Sequence, residues 1–157
     1  MSLDQRGFTL IEMVVVVLMV SILASAAMPL AAMTKRRAQE AELRQALRTI
    51  RTALDDYKHA WDLGRIEHKS DQNGYPPNLD VLVNGVVDVS SAKPQRLYFL
   101  RRLPRDPFAP PDLAASATWG LRSYASPPDE PQPGSDVFDV YSLTQGVGLD
   151  GTPYRRW

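Results

Sequence analysis

Glu12 is the residue whose chemistry most needs explaining. It stands at the head of an apolar run, the 21 residues Met13 through Met33, which carry no charge. At a helical rise of ~1.5 Å per residue that run reaches ~31 Å, enough to cross a bilayer core. A carboxylate inside such a span costs roughly 2.5–3.5 kcal/mol on insertion scales, so a function is its default reading. The structural alternative is that Glu12 favours the helix N-terminus through the macrodipole and reaches up to the interface. Other chemistry is sparse. His59 and His68 are nine residues apart around a predicted helix end, and no His-Glu-x-x-His, Gly-x-Ser-x-Gly or phosphate-loop motif occurs. Gly146-Val147-Gly148 lacks a third glycine and a preceding parallel strand, so it reads as a turn. With no cysteine there is no disulfide framework, thiol nucleophile or thiolate metal site. The expectation is a protein that is not an enzyme.

The run Arg6-Gly7-Phe8-Thr9-Leu10-Ile11-Glu12-Met13 and the apolar segment after it resemble the processing motif of type IV pilins and of the pseudopilins of type II secretion systems. Gly7, Phe8, Glu12 and Pro29 all fall at that family's spacing. The resemblance implies that a prepilin peptidase cuts after Gly7 on the cytoplasmic side and methylates the new amino terminus at Phe8. Phe8 and Glu12 are one helical turn apart, ~6 Å, so such a cut sets a cationic amine near a carboxylate, its own or a neighbour's. Assembly through Glu12 is the expected role of that pair. Charge counting alone opposes the implied orientation, because Lys35, Arg36 and Arg37 follow the span while only Arg6, offset by Asp4, precedes it. The resemblance places the C-terminal side in the periplasm of a bacterial inner membrane, and we follow it.

Further along, the segment Leu103-Pro104-Arg105-Asp106-Pro107 resembles the Leu-Pro-x-Asp-Pro stretch of G-type pseudopilins, the major subunits of the secretion pseudopilus. Those proteins hold calcium in the loop after a Tyr-Ser strand and before a terminal Trp. Here that loop, Ser142 to Tyr154, contains one carboxylate, Asp150, and Gln145 stands about where the family places an acid. Calcium takes six to eight oxygens, several of them anionic. Asp150 is therefore the calcium candidate, and Asp150-Gly151 is equally well a turn; the expectation is no cofactor, with calcium as the alternative. Asp136 and Asp139 are the nearby carboxylates.

The implied function is that of a structural subunit of a type II secretion pseudopilus, polymerising through its N-terminal helix to drive protein export. Its implied partners are prepilin peptidase, other copies of itself, minor pseudopilins, the inner-membrane secretion platform and membrane lipid. A pilin of a type IV pilus is one alternative, though such pilins usually carry a C-terminal disulfide. A monomeric single-pass membrane protein presenting a binding domain is another.

The elements that must position these residues follow from pattern. Formal net charge is zero; residues 34–69 carry nine basic and six acidic side chains and residues 70–157 eight and ten, so no nucleic-acid partner is expected. The expected organisation is a leader 1–7, a transmembrane assembly helix 8–33 and a periplasmic domain 34–157. Within the span, Pro29 removes a helical hydrogen bond and predicts a kink. Leu43, Leu47, Ile50, Leu54, Tyr57 and Trp61 recur at alternating steps of four and three, an amphipathic helix over 34–64 that lies on its own domain. Arg44, Arg48, Arg51, Asp55 and Asp62 fall elsewhere on that helix surface. Turn chemistry at Asn73 to Pro77, a helical turn and loop over Leu79 to Val89, and the proline-fixed loop at Leu103 to Pro107 fill a loop region 65–117. Strands are expected at Trp119–Ser126 and Val137–Leu143, with Tyr154–Trp157 as a third, giving a sheet over 118–157. The fold class is α+β and pilin-like: a long N-terminal helix, half transmembrane and half amphipathic, kinked near Pro29, against a small antiparallel sheet.

Overall fold

The computed structural model describes residues 9–68 and 72–157, apart from the side chains of 26–29. The chain divides into two units, Met1–Ala38 and Gln39–Trp157. Helix α1 is Leu10–Asp62. Thr9 starts it: its hydroxyl oxygen accepts the Glu12 N–H at 3.3 Å and its carbonyl accepts the Met13 N–H at 3.2 Å. Thr9-Leu10-Ile11-Glu12 thus begins the helix with the spacing of a capping box. In the first unit the polar side chains turn back onto the helix. Ser21 donates to the Val17 carbonyl at 2.7 Å, Ser25 to Ile22 at 2.7 Å and Thr34 to Leu30 at 3.0 Å, so these three hydroxyl donors do not require water. The helical assignment runs through Pro29; the kink expected there falls among side chains outside the described ones.

In the second unit the predicted stripe is the core. Leu43, Leu47, Ile50, Leu54, Tyr57 and Trp61 are all buried, and Ala46, Ala53 and Ala60 extend the buried face with small side chains. The helix ends in a Schellman arrangement. Gly64 adopts φ +68°, its N–H bonds to the Trp61 carbonyl at 2.8 Å, and the Arg65 N–H reaches the Ala60 carbonyl at 3.0 Å. Glycine suits this left-handed position because it has no Cβ to clash.

Helix α2, Asp80–Asn84, matches the expected helical turn and carries the buried Leu82. It leads into β1, Val86–Val87, which pairs antiparallel with β2, Arg96–Leu97. The Leu82 carbonyl then accepts the N–H groups of Phe99 and Leu100 at 3.1 and 2.9 Å, tying the chain after β2 back to α2. A second antiparallel pair joins β3, Trp119–Arg122, to β4, Asp139–Ser142, in the register Trp119↔Ser142 to Arg122↔Asp139. A helix with small antiparallel sheets is the α+β, pilin-like class that the sequence implied.

Three strand expectations need correction. β3 stops at Arg122 because Asp136 intervenes: its carboxylate accepts the Ser123 hydroxyl at 3.0 Å and the Tyr124 N–H at 2.8 Å, taking the donor a longer ladder would need. β4 begins at Asp139 because the Val137 N–H is spent on the Pro76 carbonyl at 2.8 Å. The third strand is instead a 3-10 turn, Tyr154–Arg156, in which the Arg156 N–H reaches the Pro153 carbonyl and the Trp157 N–H the Tyr154 carbonyl.

Candidate functional site

The residues singled out by sequence fall at the two ends of the chain. At the N-terminus, Gly7 and Phe8 lie outside the described residues, so the cleavage and methylation expectations concern a stretch the structure does not describe. Glu12 is exposed in the first turn of α1. Around it Leu10, Ile11 and Met13 are exposed, and so are the large apolar side chains onward through Leu23, then Leu30 and Met33. The N-terminal stretch of α1 is long and apolar enough to cross a membrane. Fourteen large apolar side chains exposed among the described residues of this stretch need lipid or other apolar helices, since each one left in water forfeits roughly 1.5–3 kcal/mol of burial.

At the other end, the three carboxylates considered for a metal do different work. Asp136 accepts from the Asn73 amide at 2.9 Å, Ser123 and Tyr124. Asp139 is bridged by Arg51 at 2.8 Å and Arg122 at 3.3 Å. Asp150 accepts Arg44 Nη2 at 3.0 Å on one oxygen and the Thr152 N–H at 2.9 Å on the other. Those two donors hold its carboxyl below the usual range, the Thr152 hydrogen bond contributing most. Among the described residues, no three of His, Asp and Glu converge on a position that could hold a metal ion.

Two residues treated by sequence as ordinary helix surface turn out to grip the tail. Arg44 bonds Asp150 and lies 4.0 Å over the Trp157 ring. Arg51 Nη2 donates to the carbonyls of Trp157 at 2.7 Å and Val140 at 3.2 Å, while its Nε holds Asp139. Glu40, which sequence reasoning passed over, is buried; one of its oxygens accepts both the Leu149 N–H and the Tyr154 hydroxyl at 2.9 Å. The available signal was helical spacing, because positions 40, 44 and 51 fall within a narrow arc of one face.

The Leu103–Pro107 segment is fixed by its own acid. Asp106 is buried, accepts the Phe108 N–H at 2.8 Å and is hydrogen-bonded by the Ser142 hydroxyl, while its N–H donates to Thr118 Oγ1 at 3.2 Å. The Trp119 indole N–H caps the Pro104 carbonyl at 2.9 Å. Of the histidines, His68 stacks on Trp61 with ring centroids 4.2 Å apart and bonds the Trp61 carbonyl at 2.7 Å, and His59 is exposed. Among the described residues, neither is hydrogen-bonded to a carboxylate.

Comparison with known proteins bears on the same two ends. Residues 3–28 match the family model of the prokaryotic N-terminal methylation motif, a window that includes Gly7, Phe8 and Glu12. The chain is 34% identical over 154 residues to a type II secretion system core protein G of Klebsiella pneumoniae, covering 95% of this chain and 88% of that protein. It is 33% identical over 114 residues to the protein of that name from Aeromonas hydrophila, covering 68% and 70%. With the one from Pectobacterium carotovorum subsp. carotovorum it shares 32% over 154 residues, covering 95% and 79%. No solved structure matches. Identity of this extent, over 95% of the chain in two of these comparisons and joined to the methylation motif, makes the chain a member of the type II secretion system core protein G family.

Proposed function

We propose that this protein is a structural subunit of a type II secretion pseudopilus. The observation that carries the reading is the uncovered apolar stretch of α1 with a carboxylate in its first turn, in a chain related over nearly its whole length to core protein G. On this reading a prepilin peptidase removes residues 1–7 after Gly7, and Phe8 becomes the methylated amino terminus. The apolar helix anchors the subunit in the inner membrane with residues 34–157 in the periplasm. Polymerisation then exchanges lipid for neighbouring helices around it. Pro29 kinks or locally opens the helix as it packs, its ring removing one backbone donor.

Glu12 supplies the electrostatic step. The amine of Phe8 is a cation that filament packing would bury, and an unpaired buried charge costs several kcal/mol. The Glu12 carboxylate of an adjacent subunit neutralises it, so charge pairing and helix packing reinforce each other.

The test compares maturation with assembly. Gly7→Val should retain the leader by intact mass, because the small side chain before the cut is lost. Glu12→Leu should insert and mature normally, since removing a charge from the span eases insertion, yet yield at least about tenfold fewer sheared filaments, as expected for a loss above ~1.4 kcal/mol per contact. Glu12→Asp should fall between. Normal filaments from Glu12→Leu would reduce the residue to an interfacial carboxylate.

A further inference from the structure

We propose that Arg44, not a divalent cation, is the positive charge around which the C-terminal loop of this chain closes. The family resemblance implies calcium in this loop, and the donors present do not fit it. Asp150 is its one carboxylate, and both oxygens are engaged, one by the Arg44 guanidinium at 3.0 Å and the other by the Thr152 N–H at 2.9 Å. A second carboxylate, Glu40, reaches the loop from α1, but its Oε1 already accepts from the Leu149 amide and the Tyr154 hydroxyl. A divalent ion here would have to displace or face a guanidinium, where the site calls for several anionic oxygens.

What a cation would do, the helix does. Glu40 and Arg44 are one turn apart on α1 and take consecutive residues of the loop, Leu149 through its amide and Asp150 through its carboxylate. The loop completes its own turn: the Gly148 N–H donates to the Thr152 carbonyl at 2.8 Å and the Gly151 N–H to the Gly148 carbonyl at 2.9 Å. Arg44 also stacks on Trp157, whose ring approaches Gly148 so closely that a Cβ there would lie 2.3 Å from it. One guanidinium therefore joins the loop carboxylate, the terminal aromatic ring and the helix. Arg side chains suit this double duty because the planar group pairs with a carboxylate at its edge while its face lies on a ring. The loop is built to close in any cation concentration. The inference concerns how the tail is fastened and holds whether or not the subunit polymerises.

The test is hydrogen exchange in the full chain held in detergent micelles, read on peptides spanning residues 143–157. Wild-type protein should exchange equally in excess EDTA and in millimolar calcium chloride; greater protection in calcium would overturn the proposal. Arg44→Gln should speed tail exchange by about threefold to tenfold, with peptides from the buried face of α1 unchanged, the range set by an ion pair plus a cation–π contact. Asp150→Asn should act similarly, and the double variant should be no worse than the more affected single one, because the two groups act as a pair. Wild-type exchange in Arg44→Gln, or fully additive losses, would refute the pairing. Should either variant fail to fold, the calcium comparison on wild-type protein still decides between the two accounts.

Discussion

Asp88 shows how strongly a single carboxylate can depend on its neighbours. It is buried, and the Ser90 hydroxyl and N–H donate to one of its oxygens while Arg65 donates to the other at 2.6 and 3.2 Å. The Ser90 hydrogen bond first, then Arg65, lower its pKa from 3.8 to about 2. A carboxylate depressed in the folded state stabilises the fold fully above its ordinary value, and that stability is lost as pH falls through the folded one. The thermal midpoint of the protein in detergent should therefore drop as pH is lowered from about 4 to about 2. Asp88→Asn should lower the midpoint at neutral pH and flatten the profile in that window; an unchanged slope would remove Asp88 from the account. Asp150, shifted in the same direction, contributes a slope of the same sign. At this scale the sequence was uneven. Glu12 announced itself because a charge in an apolar run is costly wherever the chain folds. Glu40, Asp88 and Asp106 did not, because each takes a partner from another part of the chain, Leu149, Arg65 and Ser142 respectively, beside any local one.

Helix α1 is one element with two solvents. From Gln39 onward its apolar stripe packs on its own domain, and Ile50 is 0% exposed, whereas Leu23 is 72% exposed. Truncating each side chain should separate the two roles. Ile50→Ala should cost about 2–5 kcal/mol in the unfolding of the domain, measured by denaturant or heat, because it leaves a cavity in a packed core. Leu23→Ala should leave that unfolding transition in place, since its side chain is exposed. A shift of several degrees from Leu23→Ala would show that the apolar half stabilises the domain directly. The helix was legible in advance because its periodicity is local and ends at a glycine in a left-handed conformation. Strand lengths were not. Alternation in the chain continues past Arg122 and begins before Asp139, but Asp136 and Pro76 capture the N–H groups that would have extended the ladder.

For the whole molecule the question is what covers the N-terminal helix. The chain contains no cysteine, so a single introduced thiol reports only on its own surroundings. Leu18→Cys should form crosslinked dimers and higher ladders through neighbouring helices when the secretion genes are expressed, and Glu12→Leu in the same background should shorten the ladder. Monomer alone under assembling conditions would favour a membrane-anchored domain that does not polymerise. By itself the sequence determined the membrane-length helix, the costly carboxylate at its head, the processing motif and the buried stripe, because each depends on residues within a few turns and on transfer free energies that need no partner. Tertiary structure decided the rest. The tail of this chain is held by Glu40, Arg44 and Arg51, more than a hundred residues away along the sequence from the loop and the Trp157 carbonyl they grip. Which donor meets which acceptor across that separation is set by how the chain packs, and a 3-10 turn replaces a predicted strand where the Arg156 and Trp157 N–H groups turn back to the Pro153 and Tyr154 carbonyls. Local pattern fixes what each segment prefers; only packing chooses its partners.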